Sequence, residues 1–167
     1  MLFRSALESE LKRLSSEVST DPLTQIANRR GLLQAFEAER ARTERGAEKG
    51  GAGLHVGLCV GLLDIDNFKL LNDKLGHGAG DEALKALAQV VTQTLRPTDV
   101  VARYGGEEFV VLLPETAVEE GQQILTRLQR SLTGGLFMHE DKKVLVTFSA
   151  GVTSYRDSER IDRKSVV

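Results

Sequence analysis

The chain has 167 residues, with 22 basic and 24 acidic side chains and a formal net charge of −2. That length suits one domain with a proper core, able to bury about 70% of its unfolded surface, and the near balance of charge supplies no global basic field of the kind that binds DNA or RNA. A single cysteine, Cys59, excludes an intrachain disulfide, and with no run of about 20 apolar residues and no signal-peptide pattern the expected location is cytoplasmic.

Residues 2 to 19 are patterned as a helix, with Leu7, Leu11, Leu14 and Val18 at 4-3-4 spacing and charged side chains between them. A seam of about two heptads serves equally a short coiled coil or a helix packed on its own domain. Asp21-Pro22 breaks this helix, because proline disfavours α conformation in the residue before it. A second helix is expected from about Asn28 to Arg45, with Leu32, Leu33 and Phe36 inward. The glycine-rich stretch from Gly46 to Gly53 reads as a flexible loop. The apolar run from Leu54 to Leu63 reads as a buried strand, with Cys59 as a small hydrophobe and Gly61 at a point of close packing.

A short helix is expected from Asn67 to Leu75 and a longer one from about Gly80 to Leu95, where Leu84, Leu87, Val91 and Leu95 form one stripe. Pro97 stops it. Val100-Val101 leads into Arg103-Tyr104-Gly105-Gly106-Glu107-Glu108-Phe109, and Val110 to Leu113 leads out, so two strands meet at a diglycine. Gly-Gly favours the tight two-residue turns that need φ > 0. After Pro114 comes a helix over about Ala117 to Leu132, with Leu125, Leu128 and Leu132 inward. A last hairpin pairs Phe137-Met138 with Val144 to Val152, turning at Glu140-Asp141-Lys142. There are no internal repeats. The expected fold is α/β (α+β) in class: an elaborated ferredoxin-like sandwich with a mostly antiparallel sheet flanked by helices.

The chemistry collects at a few positions. Asp64 closes an apolar strand, where a carboxylate needs a reason to be, and Glu107 and Glu108 follow the diglycine. If the two segments are adjacent, Asp64 comes near Glu107, and converging carboxylates repel unless a cation neutralises them. Acidic oxygens suit a hard ion such as Mg²⁺. Asn67-Phe68-Lys69 opens a helix whose unpaired N–H groups favour an anion. Asn72 lies one turn further on, and Asp81 can accept two donors. Taken alone, Asp81 serves as well as a helix cap, and Asn72 as a solvated position.

In order along the chain, these segments resemble the motifs of the GGDEF family, the diguanylate cyclases. Arg103 to Phe109 is similar to the signature in its GGEEF form. Leu63-Asp64-Ile65-Asp66-Asn67-Phe68-Lys69, with Asn72 and Asp73, resembles the metal-strand motif, followed by Gly76-His77 and Gly80-Asp81. Asp21-Pro22-Leu23-Thr24 with Asn28-Arg29-Arg30 resembles the N-terminal signature, so the resemblance covers roughly residues 21 to 153. It implies a domain over 21–167 preceded by a linker helix over 1–20, which often joins an upstream sensor domain to the cyclase and dimerises.

The reaction implied is the condensation of two GTP into cyclic di-GMP with release of two pyrophosphates, by two domains facing each other as a homodimer. The implied metal ligands are Asp64, the Ile65 carbonyl and Glu107, with Glu108 near a second ion, Mg²⁺ or Mn²⁺. Glu107, with Glu108 as its rival, would orient or deprotonate the 3′-hydroxyl. Asn67, Phe68 and Lys69 would hold the β- and γ-phosphates, Asn72 and Asp81 would read guanine, and Gly105 and Gly106 would let the substrate approach. His77 serves equally as a turn residue or a substrate contact. Asp66 matches no ligand and is expected to brace the turn. Arg96-Pro97-Thr98-Asp99 stands at the spacing of the family's inhibitory RxxD site, where cyclic di-GMP acts as product inhibitor, and Arg127 matches its secondary arginine. Shared hairpin-and-acid logic also brings in cyclic AMP or GMP cyclases and polymerase palms; the Asn72–Asp81 pair and RxxD argue against them. The pattern departs after Ser149-Ala150-Gly151-Val152-Thr153. The family continues with a helix bearing an ALYxAK segment and a Gly-Arg-Asn ending, and Arg163 and Lys164 match nothing there. Losing two charge-assisted contacts, worth about 1.5–3 kcal/mol each, points to weakened GTP binding and to an alternative function as a non-catalytic cyclic di-GMP or GTP binding module.

Overall fold

The structure, a computed structural model, describes residues 2–48, 57–134, 137–155 and 162–166. The first two helices are α1 (Leu2–Ser19) and α2 (Arg29–Glu48), followed by β1 (Leu58–Ile65), α3 (Phe68–Leu75) and α4 (His77–Thr94). The signature hairpin is β2 (Val100–Arg103) and β3 (Glu108–Leu113), followed by α5 (Val118–Gly134), β4 (Phe137–His139), β5 (Lys142–Val144), β6 (Phe148–Tyr155) and β7 (Asp162–Val166). The main sheet runs β2-β3-β1-β6-β7, and each of its strand pairs is antiparallel. The class and architecture expected from the sequence are therefore present.

Alternation along β1 explains why it lies at the centre. Cys59, Leu63 and Ile65 point to one face, where they join Leu84, Leu87 and Val91 of α4 and Leu125 and Leu128 of α5 in the main core. On the other face, Leu58 packs with Val110, Leu112 and Leu32 of α2 in a smaller cluster. Gly61 leaves room for Val111 and Leu125, whose side chains a Cβ would meet at 2.6 and 3.3 Å. Gly121 of α5 does the same for the Cys59 sulfur, at 2.5 Å. Cys59 is fully buried, and burial, with the charges of Glu119 and Glu120 adding to it, pushes its thiol up to about 11. The expected small hydrophobe is what the fold uses.

Several boundaries differ from the sequence expectations. α2 runs on to Glu48, through Gly46, while the remainder of the expected glycine loop, 49–53, lies outside the described residues, as do positions 54–56 of the expected strand. α4 starts at His77 instead of Gly80, because Gly76 at φ 87 turns the chain straight from α3 into α4. The diglycine does not make a left-handed two-residue turn: neither Gly105 nor Gly106 has positive φ, and Tyr104 to Glu107 form a four-residue connection. The left-handed turn sits at Glu140 and Asp141, φ 48 and 63, joining β4 to β5 as a separate two-stranded sheet. The expected single strand from Val144 to Val152 is thus two: β5 ends at Val144 and β6 starts at Phe148 in the main sheet, beside β1. β7, in the stretch where no element was expected, pairs with β6.

α1 does not pack its seam on the domain. Leu7, Leu11, Leu14 and Val18 remain 50%, 57%, 44% and 46% exposed. Among the described residues no helix is long and apolar enough to cross a membrane.

Candidate active site

The β1–β3 register sets Asp64 directly opposite Glu108, and the Ile65 N–H donates to the Glu107 carbonyl at 3.4 Å. Because side chains alternate along a strand, the register that buries Leu63, Ile65 and Phe109 turns Asp64 and Glu108 to the opposite, open face. There they line a cavity of about 350 Å³ with Leu62 and Ser149. Burial raises the Asp64 carboxyl above its ordinary value, and the charges of Glu108 and Asp66 raise it further. Burial likewise raises Glu107, with Asp64 and Glu108 adding to it. Asp64, Glu107 and Glu108 therefore share one electrostatic neighbourhood, drawn from two strands and the connection before β3. Among the described residues no group of three or more His, Cys, Asp or Glu side chains is arranged to hold a metal ion. Asp66 is committed elsewhere, as expected: its carboxylate accepts from Thr147 Oγ1 at 2.8 Å and Ser149 Oγ at 2.6 Å, pinning the β1–α3 turn to the β5–β6 segment.

Asn67 takes a left-handed conformation, φ 55 and ψ 33, at the N-terminal end of α3 and makes no side-chain cap. First-turn amides of a helix have no acceptor within it, and in α3 these include the amides of Phe68 and Lys69, which follow Asp64 closely in the chain. Asn72 sits on α3 against Gly80 of α4, and Asp81 is the next residue along α4. Asp81 lies inside α4 and is exposed, so it does not cap that helix; the cap position is Gly76. His77 opens α4, and its side chain is outside what the structure describes. Gly106 faces open space, with nothing within 4 Å of where a Cβ would be.

A second network supports the hairpin tip, and the sequence reading did not join Arg103 to Asp21 within it. The Arg103 guanidinium donates to the Gly106 carbonyl at 2.8 and 3.1 Å and to both carboxylate oxygens of Asp21 at 3.4 Å. Asp21 also accepts from the Thr24 N–H at 2.9 Å and its hydroxyl at 2.6 Å. Arg29 donates to the Tyr104 carbonyl at 3.2 Å and lies 4.3 Å from the centre of its ring, a cation–π contact. Asn28 ties α2 back to α1 through the Val18 carbonyl at 2.7 Å. The available signal was an arginine flanking the diglycine and an aspartate before a proline turn, two charges separated by 82 positions. Burial pushes Asp21 up, but the Thr24 hydrogen bonds and Arg103 outweigh it and hold the carboxyl below its ordinary value. Arg103→Ala is expected to cost about 1.5–3 kcal/mol, the range for losing charge-assisted hydrogen bonds, as read by urea denaturation. Since a depressed carboxyl stabilises above its unfolded pKa, Asp21's contribution is lost as pH falls through its folded value. The acid-side slope should therefore flatten in Arg103→Ala.

Arg96 is also engaged. It donates to both carboxylate oxygens of Asp99 at 3.0 and 3.2 Å, to the Pro114 carbonyl at 3.0 Å and to Thr116 Oγ1 at 2.8 Å. The Asp99 side chain is 1% exposed. The charge of Glu120 is felt at Arg96, and Glu120 lines an open groove of about 730 Å³ on α5 with Arg127 and Arg130.

Residues 18–166 match the family described as "Diguanylate cyclase, GGDEF domain". The chain is 42% identical over 154 residues to Diguanylate cyclase DgcP of Pseudomonas aeruginosa, covering 92% of this chain and 22% of that protein. It is 36% identical over 137 residues to Response regulator PleD of Caulobacter vibrioides, covering 81% of this chain and 28% of that one. It thus spans about a fifth to a quarter of these relatives' lengths. Among solved structures it is similar to diguanylate cyclase SiaD of Pseudomonas aeruginosa, crystallised with its activator SiaC, at TM-score 0.79 and 32% identity over 95% of this chain and 58% of that one. A second is the coiled coil and GGDEF domain of DgcB from Caulobacter crescentus in complex with c-di-GMP, at TM-score 0.77 and 28% identity, covering 95% and 80%.

Proposed function

The chain belongs to the GGDEF family, and from that premise we propose that it condenses two GTP molecules into cyclic di-GMP, releasing two pyrophosphates. The observation that carries this is the juxtaposition of Asp64 with Glu107 and Glu108 across β1 and β3 beside the open start of α3. Burial first, and then the neighbouring carboxylate charges, raise Asp64 and Glu107; acids crowded in this way are a donor set in want of a cation, and their hard oxygens fit Mg²⁺, or Mn²⁺ in its place. Asp64, the Ile65 carbonyl and Glu107 would hold one ion, with Glu108 near a second. Such an ion supplies charge neutralisation at the α-phosphate and the departing pyrophosphate.

The chain's own groups do the rest. Amides at Asn67, Phe68 and Lys69 receive the β- and γ-phosphate oxygens. Asp81 accepts the N–H edge of guanine and Asn72 makes the complementary contact. Gly105 and Gly106 carry no side chain to obstruct the ribose and α-phosphate. Glu107 orients the 3′-hydroxyl and takes its proton. One domain holds one GTP, so turnover needs two domains face to face, and the exposed seam of α1 supports a linker helix over residues 1–20 that pairs with a second copy.

Incubation with GTP and Mg²⁺ followed by chromatography tests this: cyclic di-GMP and pyrophosphate are expected, whereas GTP binding without product would leave a binding module. Metal binding has its own signature. Without metal, raised carboxyls favour the fold below their unfolded pKa and lose that contribution as pH rises through the folded value. Mg²⁺ should therefore raise the melting temperature at neutral pH, with the gain shrinking as pH falls into the carboxylate range.

Arg96, Asp99 and Arg127 form the inhibitory product site in this proposal. Arg96 must trade its bonds to Pro114 and Thr116 for the ligand's phosphate and base. Arg96→Ala is expected to raise the half-inhibitory cyclic di-GMP concentration about 10-fold or more, the worth of a charged hydrogen bond. An unchanged inhibition curve would count against the site.

A further inference from the structure

Asn72 Oδ1 is buried with no hydrogen-bond partner, a condition recorded at no other described side chain. It rests against Gly80. A Cβ built there would overlap that oxygen, and would approach Asn72 Cγ at 2.8 Å and Nδ2 at 3.0 Å. The backbone is held too, since the Asn72 carbonyl accepts the Gly76 N–H at 2.8 Å where the chain turns from α3 into α4. The amide is thus seated in a hollow that exists because residue 80 has no side chain.

A hollow of this kind sorts the two ends of an amide. A buried carbonyl left unpaired has one poorly satisfied acceptor, whereas a buried NH₂ would strand two donors, and orphaned donors are the rarer case in folded proteins. The oxygen goes in and the amino group is turned out.

We infer that Gly80 is a positioning residue for base recognition: its bare Cα receives the Asn72 oxygen and so presents the Asn72 amino group as a fixed donor to an acceptor atom of guanine. This rests on the assignment of Asn72 and Asp81 to guanine made above. Asp81, the neighbour of Gly80 and exposed, supplies the acceptors, and Asn72 the donor. The two together match a base edge that carries both kinds of group. An asparagine free to rotate would offer either end and discriminate less.

The test is a double-mutant cycle on the whole chain, reading binding of a non-hydrolysable GTP analogue and, separately, of inorganic tripolyphosphate, each with Mg²⁺. Asn72→Ala is expected to weaken the GTP analogue roughly 3- to 10-fold, the worth of one hydrogen bond. Gly80→Ala should weaken it by a similar factor, because the new methyl evicts the amide. Melting temperature should hold or rise, since Ala is the better helix former. In the Asn72→Ala background the same Gly80→Ala change should have no further effect, and tripolyphosphate binding should be level in all four proteins. Asn72→Gln, whose longer arm cannot seat its amide in the hollow, asks the same question without touching α4 and should show the same loss. If Asn72→Ala weakens the analogue while Gly80→Ala and Asn72→Gln bind as wild type, the hollow has no positioning role and the guanine assignment stands. If Asn72→Ala itself binds as wild type, the guanine assignment fails and the inference with it. A Gly80→Ala loss that persists in the Asn72→Ala background, or that extends to tripolyphosphate, overturns it as well.

Discussion

Glu107→Gln is expected to reduce cyclic di-GMP formation by roughly 10²–10⁴-fold, the usual contribution of a positioned acid–base group, with metal ligation lost besides. The substitution is nearly isosteric, so the loss cannot be assigned to shape. The neighbourhood gives the direction for stability as well. Glu107 is raised first by burial and then by Asp64 and Glu108, so removing its charge relieves repulsion and the metal-free protein should melt no lower than wild type. The bond that joins the tip to β1, from the Ile65 N–H to the Glu107 carbonyl, is main-chain and survives. A dead enzyme with an intact melting curve, and without the stabilisation that Mg²⁺ gives wild type, is the combined outcome. Activity within a few-fold of wild type would remove Glu107 from both roles and leave Glu108 to be tested by the same change.

Phe109→Ala is expected to cost about 3–5 kcal/mol, the range for truncating a buried aromatic. That is a large share of the 5–15 kcal/mol by which a domain of this kind is held folded. Phe109 is 0% exposed and lies in register with Leu63 on one side and Arg103 on the other. It anchors the strand from the inside while its neighbour Glu108 faces the cavity, so the same pleat fixes the acid and the anchor. Urea denaturation should show the loss as a lowered midpoint, and Phe109→Leu, which fills part of the volume, should recover most of it. A cost near zero for the alanine variant would mean that β3 is not held by its inward face.

Legibility followed the range of the interaction. Leu84, Leu87 and Val91 declared α4 by spacing alone, and Leu125, Leu128 and Leu132 declared α5, because helix periodicity is written locally. Asp64 stood out because it interrupts an apolar run, and Asp66 was assigned correctly to bracing. The diglycine misled, since a composition that permits φ > 0 does not require it; the connection was long enough to close without it, while Glu140 and Asp141 were forced into left-handed geometry by a two-residue link. The break between β5 and β6 was hidden because Val144, Val146 and Phe148 are all buried, so hydrophobicity continues where pairing does not. Arg103 with Asp21, and Asn72 with Gly80, were out of reach for another reason: each pair depends on two segments meeting, and nothing local marks the partner.

The sealed sulfur under α5 makes the molecule its own stopwatch. With one thiol in the sequence and that thiol at 0% exposure, a maleimide can couple only when α5 lifts from the sheet or the whole domain unfolds. The rate of single-site labelling therefore counts excursions out of the native state, with no engineered reporter to disturb them.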